Sequence, residues 1–359
     1  MISEILSKSE LQFDNIVELL NCDKITAKQL FEQAAKIKKQ YVQDKVYFRG
    51  LIEFSNFCSK DCLYCGIRRS NTNILRYNLT DEEIIDAAIY AYNCNYASIV
   101  IQSGEISNQV FADRIVRILE KIHSHTENRL RVTLSCGEQD KATYQRWYNA
   151  GASRYLLRIE TTNRDLYYKI HPNDKQHYFE RRIQSLYDLK EIGYQTGTGV
   201  MIGLPFQSVE DLANDLIWMR DFDVDMVGMG PYIEHEDTPL YEYRDKLLPI
   251  NDRFDLALKM IAILRIMMKN INIAAATSLQ TIDKMGREKA VQVGANVIMP
   301  NITPGNYRKY YKLYDNKPCI DENTDDCKPC LEMRLALINN EIAYNEWGDS
   351  EHYKEKSIS

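Results

Sequence analysis

GLIEFSNFCSKDCLYCGIRR, residues 50–69, decides how the rest of the chain is read. Its first residues, Gly50-Leu51-Ile52-Glu53-Phe54, form an apolar run of strand length. The run leads into Cys58, Cys62 and Cys65, a C-x3-C-x2-C array with Tyr64 before the last cysteine. Thiolates are soft ligands that suit iron–sulfur clusters or zinc. Three is the informative count. A cubane cluster held by three thiolates keeps one iron without a protein ligand, and catalytic metal centres leave such a position open for a small molecule. A structural zinc takes four ligands. No fourth Cys or His lies in the stretch, and the six histidines begin at His123.

Working outward, strand-like and helix-like stretches alternate. Strands are expected at 48–54, 97–102, 130–135, 154–159, 195–202, 224–229, 271–276 and 295–299. Helices are expected at 81–93, 109–123, 141–150, 182–192, 209–222 and 252–268. Thr80 followed by Asp81, Glu82 and Glu83 is a helix start, with a cap and acids at the positive end of the dipole. Gly151 and Gly193 suit helix stops. Eight strands joined by helical crossovers predict an α/β fold, a (β/α)8 TIM barrel. Residues 1–47 read as an N-terminal helical extension, where Thr26 can cap a helix carrying Leu30, Phe31, Ala34, Ala35 and Ile37. The expected division is a helical cover at 1–47, the barrel at 48–310 and a cysteine-containing C-terminal tail at 311–359.

Composition narrows the class. The 359 residues are 45% apolar and 27% charged, as in a globular protein, and the net charge of −6 argues against general nucleic-acid binding. No apolar run reaches about 18 residues, so no membrane span is expected. The first residues lack the apolar core of a signal peptide. Nine unevenly grouped cysteines do not read as a disulfide framework and suit a reducing compartment, and the oxygen sensitivity of an exposed iron–sulfur cluster makes an anaerobic cytoplasm the expectation.

In such barrels the chemistry sits at the carboxyl ends of the strands. The second strand ends in Gln102-Ser103-Gly104-Glu105, where Glu105 can accept hydrogen bonds from an ammonium. On the third, Arg131, Thr133 and Ser135 share a face. On the fourth, Arg154, Leu156, Arg158 and Glu160 share one face, and Tyr155, Leu157 and Ile159 the other. An inward charged set forms either an internal Arg–Glu bridge or a seat for an anion, since buried charge needs a partner. Both readings can hold at once. The fifth strand, Thr196 to Pro205, is rich in glycine, which lets something approach the backbone. His235 is a base, a ligand or neither. Met299 either shields the cavity from solvent or packs the core. The tail array Cys319-x7-Cys327-x2-Cys330 could hold a second iron–sulfur cluster or a zinc ion, or be unused.

The cysteine array resembles the cluster motif of the radical S-adenosylmethionine (SAM) superfamily. The residues IEFSNFCSKDCLYCGIRRSN, IVIQSGE, GASRYLLRIETTN, GLPFQSVEDLANDLIWMRDFDVDMVGMGPYIEHEDTPL and GANVIMPNITPGNYRKYYKLY narrow the likeness to its [FeFe]-hydrogenase maturases of the HydE family. The resemblance implies an enzyme with a [4Fe–4S] cluster on Cys58, Cys62 and Cys65, which cleaves SAM reductively to a 5′-deoxyadenosyl radical. It further implies SAM contacts at Tyr64, Glu105, Ser135, Glu160 and Arg182, of which Arg182 rather than Arg181 is set by the resemblance alone. A substrate cavity is implied at Gln102, Thr133, Arg154, Arg158, Thr277, Met299 and Tyr311, with Arg158 and Glu160 in catalytic roles. Cys319, Cys327 and Cys330 match an optional second cluster site, [2Fe–2S] or [4Fe–4S]. The implied reaction belongs to assembly of the hydrogenase two-iron subcluster: radical attack on the sulfur of an iron–carbonyl–cyanide–cysteine synthon. Companion maturases and a reductant protein would be the partners.

Two other enzymes of the superfamily stay in competition, a mutase of the methylornithine synthase kind and a sulfur-inserting enzyme like biotin synthase. The latter needs cysteines on barrel strands, and here only Cys94 and Cys136 lie near strands. A non-catalytic electron-transfer module is a further alternative, which a charged barrel cavity disfavours.

Overall fold

The computed structural model describes residues 2–318 and 324–358. Its strands are β1 (Lys45–Phe48), β2 (Gly50–Ser55), β3 (Ser98–Ser103), β4 (Arg131–Ser135), β5 (Ala152–Leu156), β6 (Gln195–Thr198), β7 (Met201–Ile202), β8 (Met226–Pro231), β9 (Asn272–Ala275), β10 (Val297–Ile298) and β11 (Glu341–Ile342). The sheet runs β11-β1-β10-β9-β8-β6-β5-β4-β3-β2 with β7 beside β8, and the pairs are parallel. The path starts and ends on one stretch, because only Arg49 separates β1 from β2. Tyr47 N–H donates to Asn296 O (2.9 Å) and Leu51 N–H to Pro300 O (2.8 Å), while Gly50 pairs with Ile99 on the other side. The stretch is thus bonded to both neighbours and the sheet closes. With β1 joined to β2, β6 to β7, and β11 as an extra edge pairing, eight positions circle the barrel, as the alternation predicts.

Two expected strands change shape for local reasons. The run 195–202 breaks at Gly199, where a Cβ would stand 1.9 Å from Gly228 O. No side chain fits there, and the backbone of β8 occupies the space. The run 154–159 starts at Ala152 and stops at Leu156. Beyond it the chain bends to Glu160, whose φ of 68° lies in the left-handed region.

The helices Phe13–Asn21 and Lys24–Tyr41 pack on the helices Val209–Phe222 and Ile250–Met267 of the barrel's outer ring. Ile250–Met267 has strands on one side and helices on the other. This explains why it is apolar nearly all round, with Ala257, Met260, Ile261 and Leu264 fully buried.

The C-terminal segment closes the end of the barrel where the strands begin. Gly348 O accepts from Arg49 Nη2 (3.0 Å) and Asn272 Nδ2 (2.8 Å), and Ser350 N–H donates to Gln195 Oε1 (2.9 Å). Arg154 belongs to this floor, and that corrects its expected place in the substrate cavity. Its fully buried guanidinium bonds Asp349 Oδ1 through Nε (3.1 Å), Ser98 Oγ (2.6 Å) and Trp347 O (2.6 Å). Leu156, Arg158 and Glu160 line the cavity as the shared face predicts, but Leu157 does too, because the strand stops at Leu156, and Arg154 stands too near the strand's start to reach the chemistry. Thr133 pairs in register with Arg154 and shares that low layer, so it too is absent from the cavity wall.

A stability prediction follows from the floor. Burial alone would raise the Asp349 carboxyl, but the Arg154 charge and hydrogen bonds outweigh it and hold the carboxyl below its ordinary value. Asp349→Asn leaves a buried guanidinium without its counter-charge and is expected to cost about 3 kcal/mol at neutral pH. A depressed carboxyl contributes stability above its unfolded value, lost as pH falls through the folded one. The gap between wild type and variant should therefore narrow below about pH 4. Urea unfolding at pH 7 and pH 3 checks both the size and the sign.

Candidate active site

At the carboxyl ends of the strands lies a cavity of about 330 Å³. Cys58, Cys62 and Cys65 line it together from the loop after β2. That loop is held by its backbone. Ser59 N–H donates to Glu105 O (2.7 Å), Leu63 N–H to Ile170 O (3.0 Å) and Gly66 N–H to Leu313 O (2.9 Å). The Arg76 guanidinium ties it from outside, donating to the carbonyls of Ile67 (2.8 Å), Arg68 (2.6 Å) and Asn71 (3.0 Å). Glu105 N–H points at Cys58 Sγ (3.3 Å), a bond that a thiolate accepts better than a thiol. Burial first, and then the charge of a neighbouring group, raises the thiols, Cys65 to about 12. Three half-buried thiols lining one cavity are a donor set that iron would draw into the thiolate form.

Gly104 fixes how near β3 comes to this loop. A Cβ on it would lie 2.2 Å from Phe57 O and 2.9 Å from Cys58 Cβ. Backbone cannot yield there without moving Cys58. Gly104→Ala is expected to lower bound iron after anaerobic reconstitution by about half or more, with the far-ultraviolet circular dichroism unchanged. Iron and sulfide analysis reads the result.

Beside the thiols stands a buried set of four charges. Lys60 Nζ contacts Glu105 Oε1 (3.0 Å) and Glu138 Oε2 (3.1 Å). Arg182 Nε contacts Glu138 Oε1 (2.8 Å), and its Nη2 lies 3.6 Å from Glu105 Oε2. Glu105 and Arg182, both expected here, do line the cavity. Lys60 and Glu138 were not foreseen, although Lys60 lies inside the C-x3-C spacing and Glu138 directly after the third strand. Tyr64 lines the cavity with its hydroxyl 3.3 Å from His171 Nε2. Burial and the Arg182 charge keep His171 well below its ordinary value, so the ring is neutral.

Deeper, Arg158 bonds Glu160 Oε2 through Nη2 (2.9 Å) and Nε (3.2 Å), and both side chains line the cavity. The bridge and the cavity-facing reading therefore coexist. Ser135, Gln102, Thr277, Met299 and Tyr311 line it as well, with Gln102 Nε2 donating to Tyr311 Oη (3.3 Å). A second unforeseen pair, Glu53 and Lys317, joins β2 to the residues after Tyr311, and Asn301 Nδ2 donates to Glu53 Oε2 (3.0 Å). His235 is buried beside Gly66, where its Nδ1 accepts from Asp237 N–H (3.1 Å), and it is not part of the cavity wall. Of the tail cysteines, Cys330 is exposed on the helix Thr324–Leu337. Cys319 and the side chain of Cys327 lie outside the described residues.

Residues 52–219 match the radical SAM superfamily. The [FeFe] hydrogenase maturase subunit HydE of Thermotoga maritima is 42% identical over 348 residues, 97% of this chain and 96% of that one. The chain belongs to the HydE family of the radical SAM superfamily. The 3-methylornithine synthase of Methanosarcina acetivorans is more distant, 27% identical over 95% of this chain and 93% of its own. The HydG structure from Carboxydothermus hydrogenoformans superposes with a TM-score of 0.81 at 21% identity, over 96% of this chain and 79% of that one. That likeness shows the shared barrel alone. Enzymes of the radical SAM superfamily use a [4Fe–4S] cluster and SAM, and the three-thiol wall next to paired acid and base side chains suits both. No helix among the described residues is long and apolar enough to cross a membrane.

Proposed function

We propose that this HydE-family enzyme acts in assembly of the two-iron subcluster of [FeFe] hydrogenase, on an iron–carbonyl–cyanide–cysteine synthon whose sulfur is the site of radical attack. What carries the reading is the 42% identity across almost the whole chain, combined with a closed barrel whose cavity is lined by three cysteines and by both acidic and basic side chains. The cluster and SAM, when bound, supply the electron and the 5′-deoxyadenosyl radical.

The chain's own side chains bind and orient. SAM's methionine end is a zwitterion. Glu105 and Arg182 offer a carboxylate and a guanidinium side by side for its ammonium and carboxylate. Tyr64 and Ser135 supply hydroxyls nearby. Arg158, aimed by Glu160, presents a fork to an anionic substrate. Leu156, Leu157, Met201 and Met299 give apolar walls that exclude water. Companion maturases and a reductant protein are the expected partners, and the tail cysteines remain candidates for a second cluster.

Hydrogenase activation, assayed with the other maturases present and this protein added or withheld, tests the reading. Normal activation without it would remove the claim. The likeness to methylornithine synthase keeps a mutase as the second reading. Amino-acid rearrangement by the reconstituted protein without any hydrogenase activation would favour it. A sulfur-inserting reaction is disfavoured, because Cys94 and Cys136 do not line the cavity.

A further inference from the structure

Four of the five cations that line the cavity have a carboxylate partner. Lys60 and Arg182 face Glu105 and Glu138, Arg158 faces Glu160, and Lys317 faces Glu53. The fifth is Arg287. It is 4% exposed, its Nε is buried without an acceptor, and among the described residues it makes no hydrogen bond or ion pair. Its neighbour Glu288 makes no ion pair with it; that carboxylate meets Arg334 through Oε2 (2.7 Å). An arginine stays charged when buried, and an unpaired buried charge costs several kcal/mol.

The backbone makes the placement deliberate. Arg287 is the second residue of the helix Gly286–Gln292, which packs on the helix Thr277–Ile282. A Cβ on Gly286 would lie 2.2 Å from Leu279 O, so only glycine lets the two helices approach this closely. Arg287 thereby lines the cavity together with Thr277 and Ser278, the first two residues of the neighbouring helix.

We propose that Arg287 is a substrate-binding residue, whose guanidinium takes the carboxylate of an anionic small-molecule substrate. The inference rests on the proposed function and adds to it a second anchoring point. Arg158 is oriented by Glu160 and already shares its charge, whereas Arg287 is left to be neutralised by the incoming molecule. SAM also carries a carboxylate, and the test separates the two sources.

The experiment uses reconstituted enzyme with Arg287→Gln and Arg287→Met. Hydrogenase activation at limiting substrate should fall about tenfold or more, as for loss of a charge-assisted bidentate contact. The affinity for SAM, and 5′-deoxyadenosine formed without substrate, should stay within about twofold. Removing an unpaired buried charge should leave the melting temperature of Arg287→Met unchanged or raise it by roughly 2 °C. A bromide soak of wild-type crystals should show an anomalous peak at the guanidinium that Arg287→Gln lacks. Unchanged activation, SAM affinity that weakens in parallel, a melting temperature lowered by several degrees, or no bromide peak would each overturn the assignment. Should wild type fail to activate hydrogenase, the maturase reading falls, while the melting and bromide measurements still judge Arg287.

Discussion

Cys62→Ala is expected to lower 5′-deoxyadenosine formation from SAM by at least about 10³-fold, or some 4 kcal/mol of barrier at 1.36 kcal/mol per tenfold. The reason is the ligand count. Cys58, Cys62 and Cys65 line the cavity, and among the described residues no other Cys and no His does. His235 faces Gly66 from outside the cavity wall, and the Cys136 thiol lies against Ile101 O, so neither replaces a lost ligand. The fold should survive, because the bonds that hold the loop start from Ser59, Leu63 and Gly66 backbone N–H groups and from Arg76, none of which uses the Cys62 sulfur. The variant should therefore keep its circular dichroism and its urea midpoint within about 1 kcal/mol. Cys330→Ala, at an exposed position on the outer helix, is the control and should keep full SAM cleavage. A Cys62→Ala protein retaining a tenth of wild-type cleavage would mean that the loop is not the catalytic metal site.

The loop was legible because its signal is local. Spacing, residue type and the preceding strand all fall within twenty residues, and the barrel follows from alternation that needs no knowledge of contacts. Charge partners were not legible in the same way. Alternation puts Arg154 on one face with Arg158, but the strand stops at Leu156 and only Arg158 reaches the cavity. What alternation lacks is height: Asp349, which binds Arg154 on the floor, lies 195 residues downstream. Nothing local marks Lys60, whose partners come from the loops after two other strands. Two readable signals were missed. Asn163 caps the helix Arg164–Ile170 by accepting from Asp165 and Leu166 N–H groups, a pattern visible in Asn-Arg-Asp. Gly286, the one glycine between Gly230 and Gly294, marks the close approach that seats Arg287.

Glu138→Gln is the most informative change among the residues that were not foreseen, with an expected loss of about 3 kcal/mol in stability and a tenfold or greater weakening of SAM affinity. Glu138 is 1% exposed and forms ion pairs with two cations on different elements, Lys60 in the cysteine loop and Arg182 in the helix Phe179–Ile192. Gly137 precedes it with φ of 74°, and a Cβ there would lie 2.3 Å from the Glu105 carboxylate. The turn thus crowds two carboxylates together, which is tolerable only while both cations sit between them. Burial pushes the Glu105 carboxyl up. In Glu138 the Arg182 and Lys60 charges overcome burial and hold the carboxyl down. Glutamine keeps the shape and one acceptor but no charge, so Lys60 and Arg182 would share Glu105 alone, and Arg182 would turn from the place where it is proposed to meet SAM. At saturating SAM the rate of cleavage should change less than the affinity, since Glu138 acts by positioning Arg182. Lys60→Met combined with Glu138→Gln removes one charge of each sign. It should recover about 1–3 kcal/mol relative to the sum of the single changes. Stability that falls while SAM affinity holds would make Glu138 a brace of the fold alone, and Arg182 would then need another explanation for its aim.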